Sequence, residues 1–138
     1  MIEIVWVGKN HLDKVWLTVE PLLKSAIMKW LPVWDTDFFY TQIMEDTKQL
    51  WIAVDSEKEA IVGAVVTEVV EYPKAKVVNV ILLGGNKIRD WKDAMGARIE
   101  EFANTEGCYA LQSMGRKGWQ ALFPDMFVSA EVLTKILK

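Results

Sequence analysis

The sequence contains one cysteine, Cys108, and one histidine, His11, among 138 residues. That scarcity excludes a Cys/His zinc site, an internal disulfide framework and a Cys-His catalytic couple backed by a second imidazole. No run approaches the roughly 20 apolar residues needed to span a bilayer. Met1 to Val7 lacks the basic start and long apolar core of a signal peptide, so a soluble, unprocessed, cytoplasmic protein is expected. Charge of one sign is also lacking. Sixteen basic and nineteen acidic residues leave a net charge of −3, with the basic residues interspersed among acids. This gives no general attraction to nucleic acid or to an anionic membrane, and neither is expected as a partner. Repeats, linkers and low-complexity tracts are absent. One domain over residues 1–138 is therefore expected, long enough to bury about two-thirds of its unfolded surface without a metal.

Apolar residues make up 51% of the chain, and seven are tryptophans. Most of these rings suit a core, where large aromatics dominate packing energy. Trp30 and Trp34 flank Leu31-Pro32-Val33 in a predicted loop, and there they could equally form an exposed apolar face for a partner or ligand.

Ile2 to Val7 reads as a strand ended by Gly8-Lys9-Asn10, with Asn10 placed to cap a helix. Leu12, Val15, Trp16, Val19, Leu22, Leu23, Ala26, Ile27 and Trp30 keep helical spacing, and Pro21 predicts a kink or restart. Asp35 or Thr36 caps a second helix through Phe38, Phe39 and Ile43. Three strands follow, Gln49 to Val54, Ala60 to Val70 and Lys76 to Leu83, joined by turns at Asp55 to Lys58 and near Pro73. Their nearly continuous apolar character predicts burial on both faces. After Gly84-Gly85, the residues Ile88, Trp91, Met95, Ile99 and Phe102 mark an amphipathic helix ending near Gly107. A strand from Cys108 to Met114, a short helix over Lys117 to Phe123 and a last strand from Phe127 to Leu137 complete the order.

This element order, with Ala103-Asn-Thr-Glu-Gly107-Cys108 at the final helix-to-strand step, resembles the GCN5-related N-acetyltransferase (GNAT) fold over essentially the whole chain. The resemblance implies an α/β (α+β) domain with a mixed, mostly antiparallel sheet of about six strands flanked by about four helices. It also implies acetyl-CoA as cofactor, no metal, and an amine on a small molecule or protein as acceptor. A shorter resemblance, carried by Gly115-Arg116-Lys117-Gly118-Trp119, is to small GNAT-like proteins of tailed bacteriophages, which would place the chain in the host cytoplasm or the virion.

Active GNAT proteins carry a Q/R-x-x-G-x-G/A loop where the fourth strand splays from the fifth, because glycines let backbone amides approach a pyrophosphate at a helix N-terminus. By family spacing the motif falls on Lys87-Ile88-Arg89-Asp90-Trp91-Lys92, where only the basic first position is kept. Gly84 and Gly85, following Leu83, offer an alternative amide nest, with Lys87, Arg89 and Lys92 as phosphate partners. Equally, the glycine pair ends a strand and Asp90 favours the helix start.

The family's chemistry also needs a base and an acid. Glu68 and Glu71 on the central strand pair are the candidate bases, or else solvated residues near a hairpin. The usual tyrosine acid falls on Leu122 or Phe123, which carry no acidic proton, leaving Tyr109 or Tyr40 as substitutes. Cys108 reads as a small packing residue and His11 as a local capping or surface group. Arg116 and Lys117 are candidate anion contacts, alongside Trp30 and Trp34 as partner contacts. Two functions follow: an atypical acyl-CoA-dependent N-acetyltransferase, or an inactive GNAT-like interaction or structural module that joins a protein partner or self-assembles.

Overall fold

In the computed structural model, residues 1–30, 32–114 and 119–137 are described. Strand β1 (Ile2–Val7) is followed by a 3-10 turn, Lys9–His11, and helix α1 (Leu12–Ile27). Helix α2 (Thr36–Met44) leads into β2 (Gln49–Asp55), β3 (Ala60–Glu71) and β4 (Lys76–Gly85). Helix α3 (Ile88–Thr105), β5 (Ala110–Ser113) and the single-turn α4 (Trp119–Leu122) complete the order. The five strands form one sheet in sequence order. β1 to β4 pair antiparallel, and β5 runs parallel to β4 over Val77 to Val80.

Side-chain alternation along the strands builds two cores. Leu50, Ile52, Ala64, Val66 and Leu82 face α1 and α2, where they meet Val19, Leu23, Phe39 and Ile43. Trp51, Ala53, Val65 and Val78 face α3, where they meet Trp91, Met95, Ile99 and Phe102. Trp51 and Trp91 are fully buried. Each such ring removes on the order of 150–250 Å² from water, about 4–6 kcal/mol at about 25 cal/mol/Å². Trp6 stacks on Trp51 at 5.4 Å between ring centroids and brings the edge strand into the α3 core.

β4 carries a bulge. Val66 stands opposite Leu82 and Thr67 opposite Val80, so Ile81 is the extra residue. Before the bulge the odd-numbered Asn79 faces α2; after it the even-numbered Leu82 and Gly84 face α1. The bulge lies next to Val80, the last β4 residue paired with β5. β5 ends at Ser113, opposite Val80, so the pairing of the two strands stops there.

Several local expectations need correction. The sheet has five strands, not about six: Phe127 to Leu137 carries no ladder, and its apolar side chains face solvent, Leu133 being 92% exposed. β5 is only four residues long and offers too short a template for so long a partner. Asn10 does not cap α1; it lies within the 3-10 turn, and His11 occupies the cap position without a side-chain bond. α1 also runs unbroken through Pro21. The carbonyl that proline leaves unpaired belongs to Leu17, a residue 87% exposed, so the gap in the helix ladder lies on the solvent face. Asp35 caps α2 as expected, accepting from the Phe38 amide at 2.9 Å. Among the described residues, no helix is long and apolar enough to cross a membrane.

Candidate functional site

A cavity of about 210 Å³ opens on the α2 side of the sheet, beside the β4 bulge. Glu68 and Asn79, paired in register across β3 and β4, form its polar floor. Asn79 Nδ2 donates to Glu68 Oε2 at 3.1 Å. Lys48, just before β2, donates to Glu68 Oε1 at 3.3 Å and to Gln42 Oε1 at 3.2 Å. The Lys48 side chain is only 11% exposed, and its ammonium lies 5.4 Å from the centre of the Phe38 ring. Trp30, Trp34 and Phe38 wall the cavity, with Ile81 and Met114 at its sheet side. Trp34 packs on Trp30 at 5.7 Å and edge-on to Phe39 at 5.6 Å, so the aromatic wall is anchored to the α1–α2 core. A carboxylate offers about four acceptor positions. Lys48 and Asn79 engage two, which leaves Glu68 able to accept a proton or a hydrogen bond from a group in the cavity.

β5 ends at Ser113, so among the described residues Ile81 to Gly85 have no strand partner on that edge of β4. Ser113 Oγ closes the last paired position by donating to the Val80 carbonyl at 3.0 Å. Past the end of this pairing, Leu83, Ala26, Lys29, Trp30 and Trp119 surround a narrow split of about 10 Å³, room for a single water at most. Trp30 is a wall common to this split and to the cavity.

The β4 edge leads to the N-terminus of α3. Lys87 takes a left-handed conformation (φ 53°, ψ 46°) before Ile88 begins the helix. A left-handed residue followed by a right-handed one turns successive amides to one side, and the first-turn N–H groups of Ile88 and Arg89 have no intrahelical acceptor. The side chains of Lys87 and Arg89 are exposed beside them. This corner fits an anion of the diphosphate class. The neighbouring split does not fit the arm of an acyl-CoA until the Trp119 indole moves aside.

Gly84 and Gly85 do not form the amide nest expected of them. A side-chain carbon on Gly84 would lie 2.2 Å from the Leu22 carbonyl oxygen, and one on Gly85 would lie 2.3 Å from the Val62 oxygen. Both glycines are strand residues that let α1 and β3 pack tightly against β4. Gly63 has the same role beneath Trp91, whose ring would come within 2.4 Å of an added carbon. Trp91 Nε1 donates to the Asn86 carbonyl at 2.8 Å and pins the turn from below. Lys92 turns away from the corner, pairing with Asp93 at 2.8 Å and lying over the Phe123 ring.

The expected site residues therefore divide. Glu68, Trp30 and Trp34 meet in one cavity, and Trp30 and Trp34 turn into it as half-buried walls. Lys87 and Arg89 flank the α3 corner, and Leu83 lines the split. Glu71 does not join Glu68, since three positions along the strand place it on the opposite face, at the far end of β3 opposite Lys76. Tyr109 lies at that same end, 83% exposed, its amide bonded to the Lys76 carbonyl. Tyr40 donates its hydroxyl to Asp13, which raises the phenol above its ordinary pKa, and it lies outside the cavity wall. Cys108 is half-buried against the α3 core, and His11 is exposed near Lys14. Arg116 and Lys117 lie outside the described residues.

Lys48, Asn79, Phe38 and Trp119 were missed. Asn79 had a readable signal, a lone amide within Val-Val-Asn-Val-Ile. Among the described residues no group of three or more His, Cys, Asp or Glu gathers to hold a metal ion.

No protein-family model and no curated protein sequence matches the chain. Solved structures match it over nearly the full length of both chains. One is a GNAT family acetyltransferase of Staphylococcus aureus, with a TM-score of 0.70, 14% identity and coverage of 99% of this chain and 98% of that one. A second is an aminoglycoside acetyltransferase from an uncultured soil metagenomic sample, in complex with sisomicin, at 0.71, 15%, 99% and 95%. A third is a predicted acetyltransferase from Clostridium acetobutylicum with acetyl-CoA, at 0.70, 10%, 98% and 96%. At these identities the likeness concerns the backbone alone, and on that ground the chain has the fold of the GNAT acetyltransferases.

Proposed function

We propose that this protein is an acyl-CoA-dependent N-acyltransferase with an atypical cofactor corner. The reading rests on one observation: the Glu68 cavity adjoins the end of the β4–β5 pairing, with Trp30 as a wall shared with the small space beside Leu83. An acceptor in the cavity and an acyl donor along the β4 edge would meet there. Acyl-CoA would supply the activated acyl thioester. Lys87, Arg89 and the first amides of α3 would hold its phosphates, and the free β4 edge would pair with the amides of its arm.

Glu68 acts as the base. An amine reaching the cavity as an ammonium must lose a proton before it is nucleophilic, and Glu68 Oε1 or Oε2 accepts that proton directly or through one water. Lys48 assists by charge: a second cation nearby disfavours the protonated amine. Asn79 fixes the carboxylate in orientation. Leu122 and Phe123 carry no acidic proton, and neither Tyr109 nor Tyr40 reaches the split, so return of a proton after transfer falls to solvent.

The closure of the split by Trp119 favours a second reading, a GNAT-fold module that binds small amines or a protein partner without acyl transfer. Calorimetric titration with CoA separates the two. A ligand at 100 times its dissociation constant also raises stability by about 2.7 kcal/mol. Absence of both heat and a thermal shift at millimolar CoA would leave only the second reading.

A further inference from the structure

We propose that the cavity takes a primary amine carried on a single flat, apolar body with no second charge. This specificity rests on the acyltransferase reading for its chemical purpose, but not for the binding itself. Among the described residues, the charged groups in the wall are Lys48 and Glu68, and they pair at 3.3 Å. The described wall is therefore neutral in sum. A polycation gains no net attraction from it and meets the Lys48 ammonium at close range. A single amine needs only the acceptor positions that Glu68 keeps free.

The remaining surface is aromatic. Trp30, Trp34 and Phe38 present ring faces and edges to the cavity, which favours a flat body stacked or edge-on between them. These rings also stabilise an ammonium during entry, before its proton passes to Glu68. Volume sets the remaining limit. About 210 Å³ is below the roughly 300–1,000 Å³ of pockets that hold drug-sized molecules, so one ring fits and a multi-ring aminosugar does not.

Calorimetric titration of the wild-type protein with benzylamine, benzyl alcohol and sisomicin, each with and without about 1 mM CoA, tests this. Benzylamine is expected to bind at least about tenfold tighter than benzyl alcohol, and sisomicin no tighter than benzylamine. Glu68→Gln should abolish the preference for amine over alcohol. Trp34→Ala should weaken both ligands by a similar factor. Tighter binding of sisomicin, no preference for the amine in either condition, or indifference of both ligands to Trp34→Ala would each overturn the proposal. The heat of CoA alone, recorded in the same experiment, decides the acyltransferase reading separately.

Discussion

Glu68 and Asn79 stand opposite one another in β3 and β4, joined by a 3.1 Å hydrogen bond from amide to carboxylate. With Glu68 as base, Glu68→Gln keeps the Asn79 and Lys48 contacts available but cannot accept a proton at neutral pH. Acetyl transfer should fall by about 100-fold or more while CoA affinity is unchanged. A thiol-release assay beside a CoA titration measures both, and full activity in the variant would remove Glu68 from the mechanism.

The α3 corner is the second testable element. Replacing Lys87 and Arg89 together by glutamate puts two negative charges beside the orphan amides of the helix N-terminus. CoA binding should weaken by about tenfold or more, and its dependence on salt should diminish. Tm without ligand should change little, since both side chains are exposed.

Trp119 distinguishes a closed enzyme from a module that never binds cofactor. Trp119→Ala enlarges a space of only about 10 Å³ along the Leu83 edge. In an enzyme, CoA affinity should rise because the arm no longer has to displace an indole. In a module, the variant should lose stability and remain indifferent to CoA.

Two substitutions test the packing that supports the corner. Gly63→Ala would set a methyl 2.4 Å from the Trp91 ring, and the forced shift should cost about 1–3 kcal/mol in urea denaturation. Thr67→Val removes the hydroxyl that accepts from Trp51 Nε1 at 2.9 Å and donates to Gln49 Oε1 at 2.8 Å. A buried indole N–H left without an acceptor should cost about 1–3 kcal/mol.

Tyr40 gives a pH signature. Its hydroxyl donates to the Asp13 carboxylate, and that bond raises the phenol above its ordinary value of 10.0. The native state thus holds this proton to higher pH than the unfolded state. Its contribution to stability is complete below the ordinary value and is lost as pH rises through the raised one. Ultraviolet titration should show one late-ionising tyrosine, absent in Tyr40→Phe.

The regular elements were legible where periodicity was strong. The Ile88 to Phe102 stripe predicted α3, and the apolar runs predicted β2, β3 and β4 with turns near Asp55 and Pro73. Local signals misled where tertiary context decided the outcome. Gly84-Gly85 reads as a chain break, yet the pair belongs to β4 because α1 and β3 approach it closely. Phe127 to Leu137 has strand composition but no neighbour in the sheet to pair with. In the candidate site, Glu68 was visible as a carboxylate in an apolar strand. Lys48 and Phe38 come from separate elements and become its neighbours only through strand register and the packing of α2, which no local spacing encodes. Glu71 illustrates the same limit, since three residues of separation in a strand mean opposite faces.

Ile81 is a spacer that β4 carries in excess of its β3 partner. Deleting it would let Leu82 follow Val80 directly opposite Val66 and Thr67, so Leu82 and Gly84 would still address α1 and Leu83 would still address α3. What would go is one buried side chain and the local bend beside Val80. The cores should therefore outlast the loss of this residue better than the cavity that Ile81 lines.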